Sequence, residues 1–153
     1  MAAKTEFSGI LLIDKPAGVT SHDVVFKVRK LYGTREVGHT GTLDPMATGL
    51  LVVLVGRAVK ASDLIVSDAK CYEAGLTLGI TTDTEDTTGT VLSESADIPD
   101  EATVKAVAKG FVGEIMQVPP MYSALKVGGK KLVDLAREGK VIEREARPIT
   151  VHS

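Results

Sequence analysis

Continuous apolar runs and one alternating stretch divide the chain into predicted strands. Residues 9–13 (GILLI) and residues 50–55 (LLVVLV) are uninterrupted apolar runs rich in branched side chains, and each predicts a buried β-strand. Residues 71–79 alternate between apolar and polar side chains, which predicts a third strand with one buried face. The apolar pattern at residues 149–152 predicts the beginning of a fourth strand. Because that pattern stops at the end of the chain, we expect a strand that is cut short.

Apolar residues at helical spacing predict helices between the strands. Ser21 is a candidate N-cap for a first helix, and Gly33 follows its apolar face as a stop signal. Further helices are predicted over residues 58–66, from residue 100 to residue 111, and over residues 132–137. The polar, acidic residues 81–89 show no periodicity and predict a loop. Strands and helices that alternate without a strict β-α-β order favour an α+β fold.

The composition is that of an ordinary globular domain. The chain has 153 residues, of which 44% are hydrophobic and 25% charged, and this length falls in the single-domain range. No window approaches the ~20 consecutive apolar residues of a membrane span, and the first residues do not resemble a signal peptide. A single cysteine, Cys71, excludes an internal disulfide. We therefore expect a cytoplasmic protein that does not bind membranes.

Charge is distributed unevenly along the chain. The net charge of −2 argues mildly against a nonspecific nucleic-acid-binding protein, because such proteins are usually basic. Residues 81–101 contain seven acids and no lysine or arginine, whereas residues 121–153 contain seven basic residues and four acids. This asymmetry permits a local phosphate-binding surface on an acidic chain. Taken singly, most of these charges are expected on solvated surfaces.

Residues 38–49 (GHTGTLDPMATG) carry the strongest indication of chemistry. Glycines on both sides of Asp44 permit positive φ angles and close approach of a ligand. Pro45 disfavours helical geometry at Asp44, so the carboxylate is expected in an extended or turn conformation. From the spacing alone, an aspartate that caps a turn is favoured over a catalytic aspartate. No second carboxylate lies beside it in the sequence, so a glycosidase pair is not supported.

Other familiar site patterns are not found in the sequence. The three histidines are scattered and the cysteine is alone, which excludes the usual spacing of zinc ligands. The glycines at residues 128–129 and 38–41 lack the other residues of a phosphate-binding P-loop. Residues 83–88 begin like a calcium loop, but Thr88 occupies the position of the invariant glycine. Nothing in the sequence calls for a cofactor or a metal ion.

Several stretches of the chain resemble the motifs of a known enzyme family. Residues 9–21 (GILLIDKPAGVTS) and residues 38–49 are similar to the paired opening motifs of the bacterial TruB pseudouridine synthases. Three later segments also resemble that family and follow its order, namely residues 70–74 (KCYEA), residues 81–84 (TTDT) and residues 118–132, which begin VPPMYSALK. The resemblance extends from about residue 9 to residue 151.

The resemblance implies a pseudouridine synthase catalytic fold, with a mixed, largely antiparallel sheet flanked by helices. Residues 1–153 would be the N-terminal portion of one catalytic domain, without the C-terminal PUA-type domain of full-length members. The implied activity is isomerisation of uridine to pseudouridine in the T-loop of tRNA, at position 55 in tRNA numbering, without a cofactor. In that reaction the base leaves C1′ of the ribose, turns, and is rejoined through C5. The resemblance leaves open whether the aspartate acts on the ribose or on the base.

The resemblance also implies roles for individual residues. Asp44 matches the essential aspartate of the family. Tyr72 matches the tyrosine that stacks on the flipped base, although the pattern alone favours a tyrosine in a sheet core. Lys15 and Pro16 are expected to shape a turn beneath the site. Four further residues are implied in substrate binding: His39 near the flipped nucleotide, Asp83 in the ion-pair network of the site, and Lys60 and Lys130 at phosphates.

Full-length members of the family continue into further strands that hold an arginine paired with the aspartate. We therefore expect this chain by itself to be weakly active or inactive. The expected partner is the T-arm of tRNA, with no obligate protein partner. The alternative is a non-catalytic RNA-binding or tRNA-folding module on the same scaffold. The intact GHTGTLDP motif favours the enzyme, whereas the short chain favours the module.

Overall fold

A computed structural model describes residues 7–65 and 69–153 of the protein. The chain divides into two compact units, Met1–Glu73 and Ala74–Ser153. Each unit combines helices with antiparallel strands, so the predicted α+β class is confirmed. The prediction that both units belong to one catalytic domain stays a prediction. Across the two described ranges, no helix combines the length and the apolar character that a membrane span needs.

The first unit is a three-stranded antiparallel sheet with one helix on its face. Its strands are β1 (Gly9–Lys15), β2 (Val37–His39) and β3 (Gly49–Val55), in the order β1-β3-β2. Helix α1 (Ser21–Tyr32) connects β1 to β2, and a 3₁₀ helix (Gly56–Ala61) followed by the short α2 (Ser62–Ile65) comes after β3. In β1 and β3, Gly9 pairs with Val55 and Lys15 with Gly49, so the full length of both strands is hydrogen-bonded.

The core of the first unit lies between α1 and the sheet. Apolar residues at helical spacing lie on one face of α1, and residues at alternate positions of β3 lie on one face of the sheet. These two faces pack against each other. Leu11 and Ile13 of β1 pack against this cluster, whereas Ile10 and Leu12, which point to the opposite face of the sheet, are exposed. The buried members of the cluster are Val24, Val25, Val28, Val37, Leu51, Val53 and Val55.

Helix α1 begins one residue earlier than the sequence analysis predicted. Its N-cap is Thr20, whose hydroxyl accepts a hydrogen bond from the backbone N–H of Asp23 at 3.1 Å. The carboxylate of Asp23 accepts from the backbone N–H of Thr20 at 2.8 Å, which completes a capping box. The prediction of Ser21 as the cap is therefore wrong, because Ser21 is the first helical residue and its side chain is buried. Gly33 ends the helix in the left-handed conformation, as predicted.

The second unit consists of three two-stranded antiparallel sheets and two helices. The sheets pair β4 (Ile80–Thr82) with β5 (Val91–Glu94), β6 (Gly113–Gln117) with β9 (Arg147–Val151), and β7 (Lys126–Val127) with β8 (Lys130–Lys131). The helices are α3 (Glu101–Lys109) and α4 (Leu132–Arg137). Among the described residues of this unit, the buried hydrophobic side chains are Leu132 and Leu135 of α4.

Most predicted elements are present, with shifted ends. The strands predicted at residues 9–13 and 50–55 are confirmed within β1 and β3, and the helix at 132–137 is confirmed as α4. The strand predicted at residues 149–152 is confirmed as the end of β9 as far as Val151, and His152 lies outside it. The helix predicted from residue 100 to 111 begins after Asp100 as N-cap and ends at Lys109. The predicted helix 58–66 is in fact the 3₁₀ helix followed by α2, and Val66 lies outside the described residues. The first two residues of the predicted loop 81–89 belong to β4.

The strand predicted over residues 71–79 is wrong for the described structure. Residues 71–77 have no strand conformation, and β4 begins only at Ile80. A strand needs a neighbouring backbone to satisfy its N–H and C=O groups, and none of the described strands pairs with this segment. Its apolar side chains are not buried on a sheet face either, since Leu76 is 76% exposed. Alternation in the sequence therefore does not produce a strand here.

Candidate active site

Asp44 lies in the loop that joins β2 to β3. The loop leaves the sheet after a hydrogen bond from the Thr40 N–H to the Val52 carbonyl (3.2 Å), and it turns where the Ala47 N–H donates to the Asp44 carbonyl (3.0 Å). The Asp44 side chain is exposed, and it forms no hydrogen bond or ion pair with the described residues. A turn-capping aspartate would use its carboxylate on nearby backbone N–H groups. The geometry therefore does not support the capping role that the spacing alone favours.

The residue before Asp44 is held by Ser21 of α1. The Ser21 hydroxyl accepts a hydrogen bond from the Leu43 N–H at 3.0 Å and donates one to the Leu43 carbonyl at 3.2 Å. Leu43 also packs against the apolar core of the unit. The side chain of Ser21 thus attaches the Asp44 loop to the first turn of α1. This role of Ser21 cannot be read from the sequence, because a serine at this position fits a helix cap equally well.

The residue after Asp44 is held by the turn that follows β1. The Pro45 carbonyl accepts a hydrogen bond from the Gly18 N–H at 2.8 Å and lies 3.4 Å from the Lys15 ammonium group. Lys15 is completely buried, and its ammonium also donates to the carbonyls of Pro16 at 3.0 Å and Val19 at 2.8 Å. A buried charge is tolerated only when polar groups surround it. The predicted turn at Lys15 and Pro16 is thus built around a buried cation that reaches the Asp44 loop.

His39 ends strand β2 and precedes the Asp44 loop. Its backbone pairs with Val53 of β3 and its side chain is half-buried. The ring atom Nδ1 is buried and has no hydrogen-bond partner among the described residues. A buried polar atom without a partner destabilises the free protein by about 1–3 kcal/mol, so a ligand that supplies a hydrogen bond there would be favoured.

A cavity of about 260 Å³ lies in the first unit between the Asp44 loop, strand β3 and the segment around Tyr72. Tyr72 is 65% exposed and lines this cavity, so the tyrosine is not in a sheet core. Asp44 directly follows Leu43, which also lines it. The structure thus brings the segment of the predicted tyrosine beside the loop of the predicted aspartate. The lining residues are Thr40, Gly41, Thr42, Leu43, Leu50, Leu51, Val52, Ile65, Lys70, Cys71 and Tyr72.

The chemistry of the cavity suits a small planar group. Its walls are mainly apolar, and the part of the lining that the structure describes includes two threonine hydroxyls, one aromatic ring and one lysine. Its volume is below the range of about 300–1,000 Å³ that is typical of sites for drug-sized ligands. An aromatic ring and aliphatic walls stack on a flat heterocycle, while hydroxyl and backbone groups form hydrogen bonds with its edge. A single nucleobase fits this description.

Tyr72 is the one predicted site residue among the described residues that line the cavity, and Asp44 and His39 precede or follow lining residues without lining it themselves. Lys60 is exposed on the 3₁₀ helix of the first unit. Asp83 belongs to the second unit, where its carboxylate accepts from the Thr90 N–H at 2.7 Å and its own N–H donates to the Thr90 carbonyl at 3.1 Å. Asp83 thus closes a loop, and it forms no ion pair with a described residue. Lys130 is exposed on β8.

The loop that Asp83 closes is organised by a second aspartate. The Asp86 carboxylate accepts hydrogen bonds from the hydroxyls of Thr84 (2.7 Å) and Thr88 (2.6 Å) and from the Thr88 N–H (2.8 Å). These donors lower the pKa of Asp86 below its ordinary value because they stabilise the ionised form, and the Thr88 hydroxyl has the largest effect.

Over the described residues, no group of three or more His, Cys, Asp or Glu side chains is arranged to hold a metal ion.

Comparisons with known proteins identify the family. A sequence model described as "TruB family pseudouridylate synthase (N terminal domain)" matches residues 29–153. The chain is 52% identical over 148 residues to tRNA pseudouridine synthase B of Bacillus licheniformis, covering 95% of this chain and 48% of that protein. It is 51% identical over 145 residues to the protein of the same name from Clostridium novyi, covering 95% of this chain and 50% of that protein. The chain therefore spans about half the length of the curated relatives it matches.

A solved structure gives the same result for the fold. The chain superposes on the crystal structure of a Cbf5-Nop10-Gar1 complex with a TM-score of 0.57 and 25% sequence identity. The match covers 95% of this chain and 33% of that chain. The sequence motifs, the loop and cavity around Asp44, and the family match over residues 29–153 agree with one another. This chain belongs to the TruB family of pseudouridylate synthases, and its match is to the N-terminal domain of that family.

Proposed function

We propose that this chain supplies the aspartate and the base pocket of an enzyme that isomerises uridine to pseudouridine in the T-loop of tRNA. The main observation behind this proposal is the cavity of about 260 Å³, which is lined both by Tyr72 and by residues of the Asp44 loop. The relatives that share 52% and 51% sequence identity with this chain are named tRNA pseudouridine synthase B, which supports tRNA as the substrate class. The target in the T-loop, position 55 in tRNA numbering, follows from the motif resemblance.

The reaction exchanges one bond of the uridine for another. The bond between N1 of the base and C1′ of the ribose breaks, and a bond between C5 and C1′ forms. The proton on C5 is lost and N1 gains a proton, so no oxidant, reductant or cofactor is consumed. Asp44 is the carboxylate at the site, and it acts either as a nucleophile or as a base on the ribose or the detached uracil. Its attachment through Leu43 and Pro45 keeps the carboxylate in position during the turn of the base.

The base must leave its stack before it can react. Flipping a nucleotide out costs a few kcal/mol, and contacts in the pocket offset that cost. Tyr72 stacks on the flipped uracil, a contact of about 1–3 kcal/mol per base. Thr40 and Thr42 offer hydroxyl groups at the wall of the same cavity. His39, with its unpartnered Nδ1, provides a further contact near the nucleotide.

The protein binds the T-arm through phosphate contacts as well as through the pocket. Lys60 and Lys130 are both exposed and able to reach a phosphate backbone, and Asp83 takes part in the ion-pair network of the complete site. The reaction takes place in the cytoplasm, where the exposed thiol of Cys71 stays reduced.

The chain by itself is weakly active or inactive. Among the described residues, Asp44 has no cationic partner, although a cation beside a carboxylate is what keeps it ionised inside a closed site. The chain also spans only about half of its relatives' length. Turnover by the isolated chain at the rate of a full-length relative would contradict this part of the proposal.

The test uses tRNA transcript with tritium at C5 of uridine, because pseudouridine formation releases that tritium. The chain is assayed alone and as a chimera that replaces the matching half of the Bacillus licheniformis relative, each with and without Asp44→Asn. We expect release from the chimera with Asp44 and none with Asn, while tRNA affinity changes less than twofold. A folded chimera that binds tRNA without releasing tritium would refute the enzyme proposal.

The second candidate function is a non-catalytic RNA-binding or tRNA-folding module. The carboxylate of Asp44, which is exposed and has no partner in residues 7–65 and 69–153, favours it for the isolated chain. A module of this kind would accelerate the refolding of denatured tRNA equally well with Asp44→Asn. Tritium release that depends on Asp44 separates the two functions, since a module that only binds RNA does not break the glycosidic bond.

A further inference from the structure

Lys70 is the one charged side chain among the described residues that line the cavity. It is exposed, and it forms no hydrogen bond or ion pair with the described residues. Tyr72, two residues further along the chain, lines the same cavity. The same cavity is therefore lined by the aromatic ring that is proposed to stack on the base and by a lysine without a partner among the described residues. Neither Lys60 nor Lys130 lines this cavity.

The position of Lys70 determines what it can bind. The leucine and valine walls of the cavity suit an uncharged uracil, whereas the charged backbone of the nucleotide is better placed at the mouth, toward solvent. A phosphodiester carries a full negative charge and is not stable against aliphatic walls. Lysine is a compact point charge on a flexible stem and binds phosphate oxygens directly. It is thus suited to the backbone next to the base and not to the base itself.

Electrostatics of the surroundings point in the same direction. The chain has a net charge of −2, and Asp44 adjoins the cavity-lining Leu43, so an RNA backbone approaching this mouth meets like charge. An unpaired cation at the mouth offsets that repulsion locally, whereas a cation already in an ion pair would not. Lys105 and Lys140 pair with Glu101 and Glu138, whereas Lys70 has no ion-pair partner among the described residues.

We propose that Lys70 binds a phosphate that flanks the uridine whose base enters the cavity. The proposal rests on the proposed function, because it assumes that an RNA nucleotide occupies the site. Lys70 is a binding and positioning residue here, and it takes no part in bond breaking. Its contact is independent of base identity and aligns the backbone so that the uracil reaches Tyr72 and Asp44.

The first experiment measures RNA affinity and turnover over a series of salt concentrations. The chimera that carries this chain is compared with its Lys70→Met and Lys70→Arg variants, and Lys27→Met on the exposed face of α1 is the matched control. Loss of one phosphate contact should weaken binding about two- to fivefold and make the salt dependence shallower by about one charge. KM should rise while kcat changes less than twofold, and arginine should restore affinity. An unchanged salt slope in Lys70→Met would overturn the proposal.

The second experiment locates the phosphate. A T-arm RNA is made with a neutral methylphosphonate in place of the phosphate on the 5′ or the 3′ side of the target uridine. If Lys70 binds one of them, Lys70→Met has no further effect on that RNA but keeps its effect on the other, because the removed partners are coupled. Equal effects on both RNAs would place Lys70 elsewhere and refute the proposal. If the unmodified chimera binds RNA but does not form pseudouridine, the proposed function fails whatever Lys70 does.

Discussion

Lys15→Met tests whether the buried cation holds the Asp44 loop in place. Methionine keeps most of the length and apolar volume of the lysine stem, so the packing around it is largely retained. The ammonium group is lost, however, and with it the hydrogen bonds to the carbonyls of Pro16, Val19 and Pro45. The variant therefore isolates the polar contribution of a side chain that is 0% exposed.

The magnitude follows from the carbonyls that remain. The Pro45 carbonyl keeps its hydrogen bond from the Gly18 N–H, but those of Pro16 and Val19 lose the bond from Lys15. A hydrogen bond to a charged group contributes about 1.5–3 kcal/mol, and removal of the buried charge of Lys15 returns part of that through lower desolvation. We expect the free energy of unfolding to fall by about 2–4 kcal/mol. That is a large part of the roughly 5–15 kcal/mol that stabilises a typical domain.

Urea unfolding followed by circular dichroism measures the change, with Lys27→Met as the control. Lys27 lies on α1 and is exposed, so its replacement should alter the free energy of unfolding by less than about 0.5 kcal/mol. If Lys15→Met were as stable as that control, the three carbonyls would not need the ammonium group. The buried hydrogen bonds would then not be what positions the turn, and the reasoning would fail.

Three further perturbations test other contacts. Ser21→Ala removes both hydrogen bonds to Leu43 and should lower the free energy of unfolding by about 1–2 kcal/mol, which urea unfolding measures. In the chimera, the same variant should change kcat more than KM, because the Asp44 loop is less well positioned, and tritium release measures this. Gly33→Ala should destabilise by about 1 kcal/mol because φ is +60° and no atom lies within 4 Å of the added Cβ; Gly9→Ala, which also has open space but no positive φ, is the control. The Thr88 and Thr84 hydroxyls lower the folded pKa of Asp86, so its contribution to stability is complete above about pH 4 and is lost as pH falls through that lower pKa. Carbon-13 NMR titration should find this pKa raised in Thr88→Val, and an unchanged value would contradict the assignment.

The parts of the fold that the sequence predicts are those set by local patterns. Strands β1 and β3 follow from apolar runs, and the end of α1 follows from Gly33, whose left-handed conformation suits glycine alone. The start of α1 was misplaced because Thr20 and Ser21 are equally good caps in isolation. Their roles differ because of a residue that is distant in sequence: the Leu43 N–H of the Asp44 loop donates a hydrogen bond to the Ser21 hydroxyl.

The same distinction explains the outcome around Tyr72. Alternation predicted a strand over residues 71–79, but a strand exists only where another backbone completes its hydrogen bonds, and that condition cannot be read from the segment itself. The motif resemblance nevertheless assigned Tyr72 to the base pocket, and the residue does line the cavity beside the Asp44 loop. The backbone prediction for this residue is thus wrong, whereas its assignment to a base pocket stays a prediction.

The two opening motifs of the family form one hydrogen-bonded structure in this chain. Lys15, Gly18 and Ser21 come from the first motif, and they hold the residues on either side of Asp44 in the second. The backbone is thus hydrogen-bonded at Leu43 and Pro45, on both sides of Asp44, while the carboxylate itself is exposed. Residues 22 and 30 positions apart in the sequence are thereby joined around Asp44, and under the proposed function such a fixed position serves an aspartate that meets a flipped base. If so, combining Lys15→Met with Ser21→Ala should reduce turnover of the chimera by more than the product of the single effects, whereas independent anchors would give that product.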